Sequence, residues 1–346
     1  MKRNILLLFT FFACITVQGQ TPVRLVDLRS EHLDRPIGLD NPVPRLSWRM
    51  EDGRQGAVQT SWRIVVDEDS LNVANGCGRM WDSGKNDSRN LLVAYAGKKL
   101  QPFTRYYWKV ICSDMKYKET ASPVSYFETG MMGMQHWQGA WIGDGKDIHY
   151  GPAPYFRKEF KTGKKVKSAR AYIAAAGLYE LYINGEKVGD HCLAPLYTRF
   201  DRRNLYVAYD VTSQLQNGDN AIGVLLGNGW YNHQSKAVWD FDRAPWRNRP
   251  TFCLDLRITY TDGSVETIPT DLSWRTASGA ITFNSIYTGE HYDARLEQKG
   301  WSTPEFDDSK WRGVAYRSVP SSNVTAQQVH PCLLYTSPSP RDMRRS

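Results

Sequence analysis

The 346-residue sequence lacks most of the motifs by which enzymes are recognised. It has no Gly-x-Ser-x-Gly nucleophile motif and no Gly-rich phosphate loop, which excludes the commonest hydrolase and nucleotide-binding patterns. Six cysteines are present but none in Cys-x-x-Cys spacing, so we expect no zinc site. Four cysteines lie away from the chain ends: Cys77, Cys112, Cys192 and Cys253. The sequence allows either a Cys77–Cys112 disulfide or buried free thiols, because export permits both.

A concentrated basic surface is also lacking, although the formal net charge is +8. Lys2 and Arg3 contribute +2 and residues 332–346 contribute another +2, so residues 20–331 carry +4. Basic and acidic residues are interspersed there, which indicates a solvated surface and no nucleic-acid partner.

Long apolar runs are confined to the N-terminus. Residues 1–19 have the charged start, apolar core and small-residue end of a secretory signal peptide, and the core is too short for a membrane span. No other segment is predicted to cross a membrane. We expect export to the periplasm, with secretion or a lipid anchor at Cys14 as the alternatives.

The other end has no strand pattern. Residues 332–346 are rich in Ser, Pro and Arg, and we interpret them as a non-native tail joined where a reading frame was cut. A natural disordered tail is the alternative. The segment Val324–Pro331 resembles the start of a further element that is not completed.

Helical periodicity is almost absent, and the chain divides into two modules with strand patterns. Residues 20–130 are predicted to form an immunoglobulin/fibronectin III-like sandwich, in which Tyr106 occupies the position of a tyrosine corner. Residues 134–328 are predicted to form a jelly-roll (galactose-binding-like) β-sandwich. Its turns are predicted at Asn184-Gly185 and Asp262-Gly263, because these dipeptides favour tight hairpins.

Several motifs of the two modules occur in a distinctive order. The segments that carry a resemblance are PIGLDNPVPRLSW, WDSG, GLYELYINGEKVGD, LGNGWYN, GEHYDAR and GWSTPEFDDSKW. In this order and spacing, nearly all of residues 20–331 resembles the N-terminal region of bacterial α-L-rhamnosidases of glycoside hydrolase family 78.

This resemblance implies an N-terminal accessory part of an exported enzyme. Family members hydrolyse terminal α-L-rhamnosides of plant glycans with inversion, and their acid and base lie in an (α/α)6 barrel that follows modules like these. The resemblance therefore implies a catalytic domain in cis that this chain lacks, rhamnose-containing glycans or glycosides as substrates, and inactivity of the chain alone. The alternative is a self-standing, non-catalytic carbohydrate-binding or adhesion protein of two sandwiches.

The carboxylates in these segments are predicted to be structural, and no catalytic residue is assigned. Asp293 and Arg295 would share one face of an extended segment and form an ion pair. Adjacent Asp307 and Asp308 would serve in a turn or a cap. His233 and His291 are interpreted as surface or rim residues.

Carbohydrate binding is the remaining site hypothesis, because aromatic faces cover sugar C–H groups while amides and carboxylates bind hydroxyls. The residues predicted for it lie at loop ends of the jelly roll: Asp190, Asn228, Trp230, Asn232 and Trp239. No cofactor is expected, with the exception that related jelly rolls bind L-rhamnose with calcium, which implies a possible ion near Asp190 and Asn228.

Overall fold

The computed structural model describes residues 23–116, 118–236 and 240–329, which form two β-sandwiches in succession. In this part of the chain, helix is limited to one α-helix, α1 (Ser70–Ala74), and to short 3-10 helices. The 3-10 helices are Met134–His136, Thr212–Gln214, Phe241–Arg243 and Ala294–Leu296. The predicted all-β class is confirmed. No helix within the described ranges has the length and apolarity needed to cross a membrane.

The first sandwich is immunoglobulin-like. Its strands are β1 (Arg24–Ser30), β2 (Ile37–Leu39), β3 (Arg45–Glu51), β4 (Gln59–Asp67), β5 (Trp81–Asp82), β6 (Leu92–Ala94), β7 (Arg105–Asp114), β8 (Glu119–Ala121) and β9 (Ser125–Thr129). One sheet has the order β1-β3-β6, and the other has the order β2-β9-β7-β4-β5 with β8 beside β7. The two sheets enclose an apolar core that includes Trp48, Ile64, Trp108 and Phe127.

Strand β7 carries the predicted tyrosine corner. The side chains of Tyr106, Trp108 and Val110 alternate along the strand and are completely buried. The Tyr106 hydroxyl accepts a hydrogen bond of 2.8 Å from the backbone N–H of Gln101. These aromatic residues therefore pack in the core and do not form a sugar-binding face.

The second sandwich is the jelly roll. Its strands are β10 (Ile142–Gly143), β11 (Pro154–Thr162), β12 (Val166–Ala176), β13 (Leu178–Ile183), β14 (Glu186–Lys187), β15 (Asn204–Asp210), β16 (Gly218–Gly227), β17 (Thr251–Tyr260), β18 (Val265–Pro269), β19 (Arg275–Ser278), β20 (Ile281–Ser285), β21 (Gly289–Tyr292), β22 (Arg312–Gly313), β23 (Ala315–Tyr316) and β24 (Val324–Ala326). One sheet has the order β23-β10-β17-β12-β15-β24 with β18 beside β17. The facing sheet has the order β14-β13-β16-β11-β19-β22, and β20 and β21 form a separate hairpin.

The predicted hairpin turns are present. Asn184 and Gly185 have φ angles of 50° and 86° between β13 and β14, as a type I′ turn requires. Strands β17 and β18 pair across Asp262-Gly263, where Gly263 has a φ of 84°.

Strand β12 is buried on both faces. Ala171, Ile173 and Ala175 face the jelly-roll core, while Tyr172 and Ala174 belong to a second cluster on the outer face of the sheet. This second cluster also contains residues of the connection between the two sandwiches, Met131 among them. The outer face of the sheet is therefore covered by the connection and the immunoglobulin-like domain.

The C-terminal part of the described chain completes the larger sheet. Val324–Ala326 forms β24, which pairs in parallel with β15 at the sheet edge. The segment Val324–Pro331, interpreted from sequence as the start of an uncompleted element, thus begins with a short strand, and its last two residues lie outside the described ones. Residues 1–19 and 332–346, assigned from sequence to a signal peptide and a tail, lie outside the described residues.

The four cysteines of the described residues are free thiols: Cys77, Cys112, Cys192 and Cys253. Cys77 and Cys112 are not paired with each other; of the buried free thiols expected as the alternative, Cys112 is buried but Cys77 is exposed. Burial raises the pKa of the Cys112 thiol to about 12.

Candidate functional site

The turn after β16 positions the first candidate residues. Gly229 has a φ of 50°, and a Cβ there would lie 2.9 Å from Cγ of Leu178, so the turn passes close to β13. Asn228 is buried: its Nδ2 donates to the carbonyl of Asn284 at 3.0 Å, and its backbone N–H donates to Oδ1 of Asn284 at 2.7 Å. These bonds tie the turn to strand β20.

Asn232 extends the same amide network. Its Nδ2 donates to Oδ1 of Asn228 at 3.1 Å and to the carbonyl of Ile148 at 3.0 Å. Its Oδ1 accepts from Nε of Arg247 at 3.1 Å. Because both side chains are buried and bonded to protein groups, Asn228 and Asn232 position the turn in this structure.

Trp230 lies at the centre of an aromatic cluster on the surface of the jelly roll. It packs against four other aromatic side chains, at ring-centroid distances of 5.1 to 6.4 Å for its direct neighbours. We call the following set the aromatic rim: Tyr197, Trp230, Phe241, Trp246 and Tyr287. Tyr197 and Tyr287 are 46% and 53% exposed, so the rim presents ring surface to solvent. Sequence reasoning found only Trp230 of this set; the density of aromatic residues in the loops was the available signal.

A cleft of about 610 Å³ lies beside the aromatic rim. It is bordered by the ends of β13 and β16 and by the β20–β21 hairpin. Its walls are mainly apolar, with Leu178 and Ile281 among them, and Glu180, Asn284 and Glu290 supply polar groups. A site of this kind suits a ligand with both apolar and hydroxylated surfaces.

His233 was expected at the surface or at the rim; it lies against the aromatic rim but is buried, so the surface position is wrong. Its ring is stacked on that of Trp230 with an interplanar angle of 27° and lies edge-on to Tyr287 at 5.2 Å. Burial lowers the pKa of this imidazole. Within the described residues its Nδ1 has no hydrogen-bond partner. His291 is exposed, as expected.

The last two residues predicted for the site, Asp190 and Trp239, are not shown to join the others. Asp190 is exposed in the loop after β14, and among the described residues no hydrogen bond or ion pair joins it to Asn228. Trp239 lies outside the described residues. No group of three or more His, Cys, Asp or Glu side chains that could hold a metal ion is found in residues 23–116, 118–236 and 240–329. The calcium hypothesis near Asp190 and Asn228 stays a prediction.

The conspicuous carboxylates have structural partners. Asp293 pairs with Arg295 at 2.6 Å and caps a 3-10 helix, and the Arg295 guanidinium lowers the pKa of that carboxyl. Asp308 pairs with the buried Arg157. Asp307 accepts the backbone N–H of Ser309 at 3.0 Å, which lowers its pKa. The ion pair predicted for Asp293 and Arg295 and the turn role predicted for Asp307 and Asp308 are confirmed. The lowered pKa values of Asp293 and Asp307 are the opposite of what a general acid needs.

One buried carboxyl does have a raised pKa. Desolvation raises the pKa of Asp255 to about 6, although the side chain accepts backbone N–H bonds from Gln138 and Gly139 at 2.8 and 2.7 Å. These bonds anchor the connection between the two sandwiches to β17. Asp255 is 2% exposed, which indicates a structural role rather than contact with substrate.

The fold thus defines a two-domain all-β protein, in which an immunoglobulin-like sandwich packs on a jelly roll with an aromatic rim. The family described as the α-L-rhamnosidase N-terminal domain matches residues 164–335. The family described as the Rha78A-like N-terminal immunoglobulin domain matches residues 25–133. The chain belongs to the α-L-rhamnosidases of glycoside hydrolase family 78 and corresponds to their N-terminal region.

Individual relatives agree with this assignment. An α-L-rhamnosidase of Formosa agariphila is 34% identical over 94% of this chain, and one of Alteromonas sp. is 32% identical over 81%. The solved α-L-rhamnosidase from Dictyoglumus thermophilum superposes with a TM-score of 0.82 at 37% identity, covering 88% of this chain and 35% of that one. The chain spans 37% and 31% of the length of the two curated relatives.

Proposed function

We propose that this chain is the N-terminal accessory region of an exported α-L-rhamnosidase that removes terminal α-L-rhamnose from glycans or glycosides with inversion. The observation that carries the proposal is the match of both sandwiches, in order, to the N-terminal domains of α-L-rhamnosidases about three times as long. The periplasmic destination rests on the predicted signal peptide at residues 1–19.

In this proposal the chain supplies no catalytic acid or base. An inverting glycosidase needs two carboxyl groups, separated by about 6.5–9.5 Å, with one protonated at working pH. The carboxylates of Asp293, Asp307 and Asp308 are held by arginine or backbone partners. The acid and base would therefore lie in residues of the longer protein, and nitrophenyl α-L-rhamnoside would be hydrolysed by that protein and not by this chain.

We further propose that the aromatic rim binds a neutral sugar. The exposed rings of Tyr197 and Tyr287 beside Trp230 would cover the C–H face of rhamnose. Asp190 and Trp239 stay predicted ligands of the same sugar, and Trp239 lies outside the described residues. Asn228 and Asn232 would act indirectly, by holding the turn that carries Trp230.

Calorimetry with L-rhamnose tests the rim. We expect weak, millimolar binding by the chain and its loss in Trp230→Ala. Tyr316→Ala is the control, because Tyr316 is exposed on the edge strand β23 and belongs neither to the aromatic rim nor to the lining of the cleft. Titrations with calcium and with a chelator measure whether an ion near Asp190 takes part. Absence of heat at tens of millimolar sugar, with or without calcium, would contradict the rim proposal and leave the family assignment intact.

A further inference from the structure

A second cleft lies between the two sandwiches, away from the aromatic rim. Its volume is about 360 Å³, and both domains line it. We call it the seam cleft. Its charged lining residues are Glu68, Arg105 and Glu128 from the immunoglobulin-like domain and Lys167, Arg170 and Arg257 from the jelly roll, and Tyr172 lies among them. Cations therefore outnumber carboxylates in the cleft.

Two of the four cations are already compensated. Glu128 is buried and bonds both arginines, with Oε2 at 3.0 Å from Arg105 and Oε1 at 2.7 Å from Arg170. Arg170 also pairs with Asp210 at 2.8 Å. This network joins the domains and leaves little capacity for another anion at Arg105 or Arg170.

The other two cations, Arg257 and Lys167, have no carboxylate within 4 Å among the described residues. Glu68, the second acidic residue of the cleft, is exposed at its margin. An uncompensated cation in a partly enclosed cleft between two low-dielectric bodies attracts anions more strongly than one on an open surface.

Arg257 is also held in a fixed position. Its guanidinium carbon lies 4.5 Å from the ring centroid of Phe103. Phe103 is in turn packed edge-on against Tyr172 at 5.6 Å and against His136 at 5.9 Å. A guanidinium stacked on a ring keeps its in-plane N–H donors available for a planar or tetrahedral oxyanion.

The Tyr172 hydroxyl provides an independent observation. Tyr172 is completely buried and lines the seam cleft, yet its hydroxyl has no hydrogen-bond partner within the described residues. A buried hydroxyl without a hydrogen-bond partner is unfavourable, so an acceptor oxygen in the cleft would relieve that cost. Arg257, Lys167 and Tyr172 all line the seam cleft, Lys167 as an exposed side chain, and each has a donor that a small anion in the cleft could use.

We propose that the seam cleft binds the oxyanion of an acidic sugar residue, either the carboxylate of a uronic acid or a sulfate ester. The charge of the cleft supports an oxyanion as the ligand, whereas the inference that this oxyanion belongs to a sugar rests on the proposed function. The volume lies at the lower end of the range for ligand pockets, which favours a single sugar residue. The region would thus hold an acidic unit of a glycan while the longer protein acts on a neighbouring rhamnoside.

The binding of acidic sugars to this chain, measured by calorimetry and by NMR, tests the proposal. The ligands are D-glucuronate and glucose 6-sulfate, with D-glucose as the neutral match and inorganic sulfate as the simple anion. We expect at least one acidic sugar to bind with millimolar affinity and glucose not to bind. Whichever of the two acidic sugars binds more tightly identifies the preferred oxyanion.

Variants assign the binding to the cleft. Arg257→Gln and Lys167→Gln should each weaken the acidic sugar about tenfold, as expected for one charge-assisted hydrogen bond. Tyr172→Phe should weaken it several-fold without lowering the melting temperature. Arg275→Gln is the control, since it removes an exposed arginine from the opposite sheet. Arg257→Lys keeps the charge and should retain part of the affinity even if Arg257→Gln is poorly folded.

The proposal is overturned if neither acidic sugar binds, if inorganic sulfate binds as tightly as both, or if the affinities of Arg257→Gln and Arg275→Gln match. Its failure is distinguishable from that of the proposed function. Hydrolysis of a neutral rhamnoside by the longer protein does not require the seam cleft, so activity without acidic-sugar binding would contradict this inference alone.

Discussion

The hydroxyl of Tyr206 lies 2.5 Å from Oδ1 of Asp40, so a strand of the jelly roll is hydrogen-bonded directly to the immunoglobulin-like domain. The same hydroxyl accepts the backbone N–H of Met131 at 2.9 Å. Asp40 also accepts the N–H of Ala326 in β24 through its Oδ2. One buried tyrosine thereby links both sandwiches and the connection between them.

Removing this hydroxyl should weaken the packing of the two domains. Tyr206→Phe leaves Asp40 and the Met131 N–H without this partner, and we expect the free energy of unfolding to fall by about 1–3 kcal/mol in urea denaturation. Tyr316→Phe, at an exposed tyrosine, should unfold like the parent. Equal denaturation midpoints for both variants would contradict the role given to Tyr206.

Two glycine-to-alanine substitutions test how closely the two domains pack at the same interface. Gly38 has a φ of 83°, and a Cβ at this position would lie 2.6 Å from Cβ of Ala208 across the domain boundary. Gly56 has a φ of 70° but open space around it. Both Gly→Ala variants incur backbone strain of about 1 kcal/mol, and only Gly38→Ala adds an overlap, so its loss of stability should exceed that of Gly56→Ala by about 1–3 kcal/mol. Thermal unfolding of the two proteins measures the difference, and equal losses would show that the domains are not in close contact there.

Asp255 should make stability depend on pH. Burial raises the pKa of this carboxyl in the folded protein to about 6 from an ordinary 3.8. Its stabilising contribution is therefore fully present below pH 4 and is lost as the pH rises through 6, by about 3 kcal/mol for a shift of this size.

Asp255→Asn removes that titration. Between pH 4 and 7 the parent should lose stability relative to this variant, as measured by denaturant unfolding at each pH. Asp87→Asn, at a highly exposed carboxylate, is the control and should follow the parent. A stability difference between the parent and Asp255→Asn that does not change over this range would contradict the account.

Thiol accessibility should separate Cys77 from the two buried cysteines, Cys112 and Cys253. Cys77 is exposed, whereas Cys112 and Cys253 are buried and have pKa values raised by desolvation. Because the thiolate is the reactive form, iodoacetamide should label Cys77 in the native protein and label the buried pair only after unfolding. Peptide mapping by mass spectrometry measures this, and native labelling of Cys112 at the rate of Cys77 would contradict the burial described.

Features that residues close in the chain determine could be predicted from the sequence, whereas features that depend on distant residues could not. The Asn184-Gly185 turn, the Tyr106 corner and the Asp293–Arg295 pair could be predicted because each is set by residues close in the chain. The burial of β12 on both faces could not, because its outer face is covered by the first domain. Short strands such as β2 and β5 carry too few residues to show a period.

The site was predictable only in part for the same reason. Trp230 was identified from its motif, but its neighbours Tyr197 and Tyr287 come from loops distant in sequence. Asn228 and Asn232 have the side chains of sugar ligands, and only the fold shows that their amides bond to Asn284 and to each other. The seam cleft, which joins residues of both domains, had no signal in the sequence.

Hydrolysis of nitrophenyl α-L-rhamnoside by this chain and by the complete protein encoded by the same gene tests the central claim most directly. The claim is that these sandwiches belong to a rhamnosidase whose catalytic carboxylates lie elsewhere in the protein. We predict release of nitrophenol by the complete protein and none by this chain at equal concentration. Turnover by this chain, or a complete protein without activity on the rhamnoside, would contradict the claim.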